Sequence, residues 1–248
     1  EGTHNLPKGR GVFFAMNHTD RFNYWPFQYE LHRQRLGYTA TWVKPKYYEN
    51  PAVGWFMERM NNIPLPSRGY LISTEFRATH GRSPNADEYR DLRNRANAGE
   101  LPGFEARWSE MMAEVIRLNR HAMEELGLHV LVFPQGRRSV QLTRGHTGMM
   151  QMARYLDAPI VPVGCSGSNH CYPGNSPFSK GGAVTYRMGA PMEPGGPEGV
   201  MPFSREAASH EAAYQSATDG VMEAINGLVD PPYQWGAAVD DSGVDRFI

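Results

Sequence analysis

The apolar run GRGVFFAMNH at 9–18 ends on an Asn-His pair, and Thr19, Asp20, Arg21, Phe22 and Asn23 follow. A histidine at a strand end, with a hydrogen-bonding side chain about one helical turn further on, can be held in one tautomer and take a proton from an alcohol. His18 is that histidine, and Asp20 and Asn23 are the side chains spaced to hold it. The same residues also spell a capped turn with Asp20 at the head of a helix. A second stretch, FPQGRRS at 133–139, runs from Gln135 into Gly136, where backbone can approach a ligand closely. Arg137, Arg138 and the Ser139 hydroxyl come next. Guanidinium groups bind phosphate in two-point geometry. The order also describes an arginine-rich solvated loop. Arg68, after the extended NIPLPSRG, and Lys44, at a strand end, add positive charge but carry no signal alone.

Short buried strands must present these groups. Apolar or β-branched runs at 9–18, 38–44, 128–136, 158–167 and 181–192 read as strands. Helical periodicity marks 24–37, 50–61, 107–127, 146–157 and 204–229 as helices, the last opened by Ser204-x-x-Ala207, a capping box without its acid. Residues 73–107 are polar and charged and read as an insertion. Strands alternating with helices predict an α/β fold, a single domain with a largely parallel central sheet flanked by helices. Sites in such sheets form beyond the carboxyl ends of the strands, which puts His18 and 135–139 on one rim. The domain is read over 1–230, with 231–248 as a C-terminal tail extended over the surface.

The chain has 248 residues and a formal net charge of -1. It lacks the basic balance that nucleic-acid backbones demand, so no nucleic-acid partner is expected. Only Lys8, Lys44, Lys46 and Lys180 are lysines; every other cation among the 25 Lys and Arg is arginine. Cys165 and Cys171 cannot build a disulfide framework and, with His170, make a poor zinc set, so both are read as ordinary cysteines of a reducing compartment. No run approaches the roughly 18 apolar residues of a membrane span. No signal peptide is read, and a membrane anchor ahead of Glu1 is left open. The aromatic-rich helix at 24–37 fits a membrane interface, and fits a core face more readily.

Taken in order, four blocks resemble the glycerophospholipid acyltransferase family, the glycerol-3-phosphate and lysophosphatidic acid O-acyltransferases. NHTDRFN is similar to the family's first block, Asn-His with an acid five residues on. NIPLPSR is similar to the second, which ends in Arg. VLVFPQGRRS is similar to the third, Phe-Pro-Glu-Gly-Thr-Arg-Ser after a strand, and APIVPVG to the fourth. The likeness runs from about Gly11 to Gly164. It implies an acyltransferase-like fold and an enzyme of lipid metabolism that moves a fatty acyl group from acyl-CoA or acyl-carrier protein to the hydroxyl of a glycerol-phosphate or lysophospholipid-like acceptor. His18 would be the general base in a direct transfer. Arg68 and Arg138 would hold the acceptor phosphate, with Gln135, Gly136, Arg137, Ser139 and Lys44 around it. It implies no metal and no organic cofactor, and a peripheral enzyme on the cytoplasmic, inner face of a membrane.

Two positions depart from the family. Asn23 replaces the first-block acid, and an amide cannot offset charge on an imidazolium. In a serine-protease triad such a change costs about 10⁴ in turnover. Asp20 is the other acid within reach of His18. In the third block Gln135 replaces Glu and Arg137 replaces Thr, which makes the pocket more cationic. These changes keep a second reading open, a catalytically impaired protein that binds acyl chains or lipid headgroups. A serine hydrolase is discounted, because GCSGS at 164–168 lacks the final Gly of the nucleophile elbow.

Overall fold

The computed structural model describes residues 1–236; positions 237–248 of the expected tail lie outside the described residues. In chain order the elements are β1 (Phe13–Met16), α1 (Tyr24–Arg33), β2 (Thr39–Val43), α2 (Pro51–Arg59), β3 (Ile63–Pro64), α3 (Arg68–His80), α4 (Ala86–Ala98), α5 (Phe104–Arg120), β4 (His129–Val132), α6 (Gly148–Tyr155), β5 (Ile160–Ser166), α7 (Ser168–Cys171), β6 (Thr185–Met188), α8 (Arg205–Ser209) and α9 (Glu211–Asn226). The strands form one mixed sheet in the order β3-β2-β4-β1-β5-β6. The chain falls into two compact units. One is Glu1–Trp42 with the chain from Asn119 onward, and the other is Val43–Leu118.

In the first unit β1 is central. It pairs in parallel with β4, Phe13 opposite Val130, and with β5, Phe13 opposite Ile160. Every residue of β1, β4 and β5 is buried. Such strands read as unbroken apolar runs because a parallel sheet is covered on both faces, which is why they were legible. β6 runs antiparallel to β5, Gly164 opposite Arg187. On one face Phe14, Met16, Val161 and Val163 pack with Phe27 and Leu31 of α1, and the Phe14 and Phe27 rings meet edge to face at 5.2 Å. The aromatic helix is thus a core helix. α9 packs against β5. Gly164 is required there, since a Cβ would come within 2.7 Å of the Leu228 backbone.

The sequence predicts one helix over 204–229; the structure divides it at His210 into α8 and α9. Ser204 caps α8 by accepting from the Ala207 amide at 3.0 Å. The start of the expected tail is not extended. Pro231–Tyr233 forms a 3-10 turn, and Tyr233 is buried, its hydroxyl donating to Asn169 at 2.7 Å and accepting from the Gly167 amide. The chain leaves the first unit after Trp42 and re-enters at Asn119. Those two buried residues are joined by a bond from Trp42 Nε1 to Asn119 Oδ1 of 2.8 Å.

The polar stretch 73–107 is helical through most of its length. It holds the rest of α3, all of α4 and the start of α5 in the second unit. α4 begins with a complete capping box. Asn85 accepts from the amides of Asp87 and Glu88, and Glu88 accepts from the Asn85 amide at 2.8 Å. In the same unit the Leu65 amide donates to the Val43 carbonyl at 2.9 Å beside β3.

Candidate active site

β1 stops pairing through its main chain at Met16, yet the ladder is carried one residue further by a side chain. The Asn17 amide group donates to the Cys165 carbonyl at 2.9 Å and accepts from the Cys165 amide at 2.7 Å. Asn17 thus anchors the strand end while the backbone turns away, and His18 is the next residue.

Gln135, Ser139, Phe133 and Asn23 hold His18. Its amide donates to Gln135 Oε1 at 3.1 Å, and its carbonyl accepts from the Ser139 amide at 2.8 Å. Its ring stacks on Phe133, centroids 3.9 Å apart and planes at 18°. Its Nδ1 lies 3.3 Å from Asn23 Oδ1. The Asn23 side chain is fully buried and its Nδ2 donates to the Asn17 carbonyl at 3.0 Å. That bond assigns the amide's orientation and turns Oδ1, an acceptor only, toward the ring. The matching tautomer carries its proton on Nδ1 and leaves a lone pair on Nε2. Asn23 is held in turn by the Tyr186 hydroxyl, which donates to its carbonyl at 2.6 Å.

Asp20 does a different job from a cap. Its carboxylate accepts from the Phe22 amide at 2.8 Å and from the Thr19 hydroxyl at 2.9 Å, closing a tight turn ahead of α1. Asn23, not Asp20, precedes the helix, and it gives no side-chain cap. Burial pushes the Asp20 carboxyl above its ordinary range; the nearby Ser168 hydroxyl and the Phe22 and Thr19 donors pull it partly back. Ser168 Oγ is buried and influences Asp20 from close by, but makes no hydrogen bond of normal geometry. Burial likewise raises the Cys165 thiol and the Tyr186 phenol. Both cysteines are buried free thiols.

The loop after β4 supplies the other half of the site. Gln135 is 2% exposed and makes three bonds. Besides accepting from His18, its Nε2 donates to the Gln141 carbonyl and to Thr143 Oγ1, both at 3.2 Å. Those two donations need an amide; a carboxylate has nothing to donate. Gly136 has φ +65, and a Cβ there would come within 2.9 Å of the His146 ring. Arg137 is exposed, Arg138 is partly buried and Ser139 is buried. The structure therefore joins His18, Asn23, Gln135 and Ser139 by direct bonds, with 136–138 in the same loop. Arg68 and Lys44 belong to the second unit. There the Arg68 guanidinium is paired with Glu105, donates to the Ala96 carbonyl at 3.2 Å and lies over the rings of Phe104 and Trp108. Lys44 is exposed just before the turn at Pro45–Tyr48.

The second unit also has a mainly apolar groove of about 550 Å³, lined by Tyr48, Pro66 and Met111 among others, with Glu49, Glu110 and Glu114 also in its wall. Among the described residues no cluster of His, Cys, Asp and Glu is arranged to hold a metal ion. Nor is any described helix long and apolar enough to cross a membrane.

The family described as Acyltransferase matches residues 1–166, more than half of the chain, and the match takes in His18, Asn23 and the whole 135–139 loop. The chain belongs to the acyltransferase family. This acyltransferase also shares its fold with a solved structure, the 1-acyl-sn-glycerophosphate (LPA) acyltransferase PlsC from Thermotoga maritima. The two are 18% identical, the likeness covers 92% of this chain and 70% of that one, and the TM-score is 0.51. Among curated proteins none matches the chain. The largely parallel central sheet flanked by helices, expected from strands alternating with helices, is the sheet observed, with β6 antiparallel at its edge. In the sequence Asn17 stands out only as half of the Asn-His pair, Phe133 carries no signal of a role, and Tyr186 lies beyond the matched region of the acyltransferase.

Proposed function

We propose that the enzyme moves a fatty acyl group from acyl-CoA or acyl-carrier protein to the hydroxyl of a glycerol-phosphate or lysophospholipid-like acceptor. His18 Nε2 takes the hydroxyl proton as the oxygen attacks the thioester carbonyl. The tetrahedral intermediate collapses with loss of the thiolate, which recovers that proton, and an ester remains. One observation carries this reading. The Asn23 amide is tied to the Asn17 carbonyl at 3.0 Å, so its oxygen faces Nδ1 at 3.3 Å and Nε2 keeps its lone pair. The serine-protease change from Asp to Asn is damaging because it brings the wrong tautomer. Here the amide selects the tautomer that a base needs. What Asn23 does not supply is a charge opposite the imidazolium, and Asp20 is the nearby acid that the reading keeps in that role.

Arg137 and Arg138, in the loop whose Ser139 amide holds His18, suit an acceptor phosphate, and Gly136 leaves room beside them. Gln135 acts as a strap on the His18 backbone rather than as a ligand. Arg68 and Lys44 enter as phosphate-binding residues from the family pattern. The groove in the second unit has the chemistry of an acyl chain's surroundings. The enzyme would work peripherally at the inner face of a membrane, where its acceptor resides. The alternative, an impaired protein that binds acyl chains or headgroups, draws on the missing carboxylate at Asn23.

Thiol release from long-chain acyl-CoA, measured with and without glycerol-phosphate and lysophospholipid acceptors, tests the proposal. Acceptor-dependent release should fall about 10²- to 10⁴-fold in His18→Ala. Release that needs no acceptor would point to hydrolysis. Acyl-CoA binding with no release above the His18→Ala background would favour the binding protein.

A further inference from the structure

We propose that α2 is the surface through which the enzyme docks on a phospholipid bilayer with anionic headgroups. α2 has nine residues and buries only Gly54 and Met57. Val53, Trp55 and Phe56 are 39%, 57% and 46% exposed, and Pro51 and Ala52 are exposed beside them. The other large exposed apolar side chains among the described residues, such as Tyr29, Leu126 and Phe178, are scattered along the chain. Packing engages only the side of this helix that carries Gly54 and Met57. Its start is secured locally, with Asn50 accepting from the amides of Ala52 at 3.0 Å and Val53 at 3.2 Å and Pro51 in the first turn.

The charges on and just ahead of this helix point to its occupant. Lys44 and Lys46, two of the chain's four lysines, lie just ahead of the helix and are exposed. Arg59 closes the helix, and its guanidinium stands 4.9 Å from the centre of the Trp55 ring. Of the nearby acids, Glu49 is neutralised by Arg77 within the same unit. Glu58 remains on the helix. Aromatic rings with cations close by suit the bilayer interface, where rings sit among the headgroups and Lys and Arg reach phosphate. A protein partner with an apolar pocket would not call for those cations. The inference rests on the lipid-acceptor reading for its purpose, since docking brings the enzyme to an acceptor held in a membrane. Its readout is independent of turnover.

The test is sedimentation of the full chain with vesicles of phosphatidylcholine alone and of phosphatidylcholine mixed with phosphatidylglycerol. Wild type should bind the mixed vesicles, and bind less at high salt or without phosphatidylglycerol. Trp55→Ser with Phe56→Ser should weaken partitioning about 10- to 100-fold, from the apolar area of two half-exposed rings. Both side chains are exposed, so the fold should survive, as circular dichroism would verify. Trp55→Phe should retain binding but lose the blue shift of tryptophan emission on vesicles. In the double variant, thiol release with water-soluble glycerol phosphate should equal wild type while release with a vesicle-borne acceptor falls. Vesicle binding equal to wild type in the double variant would overturn the proposal. So would a wild type that ignores vesicles and instead forms a dimer that the double variant abolishes. Vesicle binding without thiol release would remove the acyl-transfer reading and leave the docking surface standing.

Discussion

Gln135→Glu restores the residue that the family's third block carries, and it should cost this protein stability in a pH-dependent way. The amide nitrogen donates to the Gln141 carbonyl and Thr143 Oγ1 at 3.2 Å, in a site only 2% exposed. A carboxylate keeps the bond from the His18 amide, and Thr143 can rotate to donate. The Gln141 carbonyl is then left facing a negative oxygen. An abandoned buried acceptor costs about 1–3 kcal/mol. A net penalty of about 2 kcal/mol corresponds to a carboxyl raised by about 1.5 pKa units above its ordinary value near 4.3. A group raised in the folded state adds its stability below the unfolded pKa and loses it as pH climbs through the folded one. Protonated, the new carboxyl donates to Gln141 and the deficit vanishes. Thermal melts of variant and wild type should therefore coincide near about pH 4 and differ by about 4–8 °C near about pH 8. A deficit of equal size at both pH values, or none at the higher one, would refute the strap assigned to Gln135.

Asn23→Asp puts a carboxylate against His18 Nδ1 and takes the donor from the Asn17 carbonyl. The acidic limb of the kcat/KM profile for acyl transfer should move up by about 1–3 pH units, and an unmoved limb would remove His18 as the base. Tyr186→Phe deletes the 2.6 Å bond to the Asn23 carbonyl. It should lower kcat about 5-fold with KM unchanged; a change in KM alone would make Tyr186 a binding residue. Asp20 carries a carboxyl raised by burial, so its ionisation in the fold is disfavoured. Asp20→Asn should gain stability relative to wild type as pH rises from about 4, and the two melting curves should converge below it. A gap that widens toward acid would show that the charged form is the one the fold stabilises.

The parts of this protein legible in its sequence are those set by local pattern. β1, β4 and β5 announce themselves because strands covered on both faces must be apolar throughout. His18 and Asn23 were legible because five positions separate them, a distance one turn can close. The grip of Gln135 on His18 spans 117 residues, that of Asn17 on Cys165 148, and that of Tyr186 on Asn23 163. No periodicity encodes which distant strands become neighbours. Asp20 supports two readings from its spacing, a partner for His18 and a helix cap; its oxygens accept from Thr19 and Phe22, and α1 starts later, so the cap is not formed. In 73–107 the signal existed and went unused: Asn85 with Glu88 three positions on is a capping box, and only the polarity of the stretch hid α4. Arg68 drew attention through its motif, but sequence gave no sight of Glu105, 37 positions away.

The bond between Trp42 and Asn119 also bears on how the polypeptide reaches its fold. It ties the two ends of a long excursion, which the chain must close for β2 to lie beside β4. Closing a segment of that length costs about 4 kcal/mol of chain entropy, and each halving of the segment would return about 0.6 kcal/mol. The helices α3, α4 and α5 shorten that excursion as they form, because each rises only about 1.5 Å per residue. The inserted unit thus acts on the kinetics of the sheet. The helices of the second unit thereby bear on how soon β1, which leads into His18, acquires β4 as its neighbour.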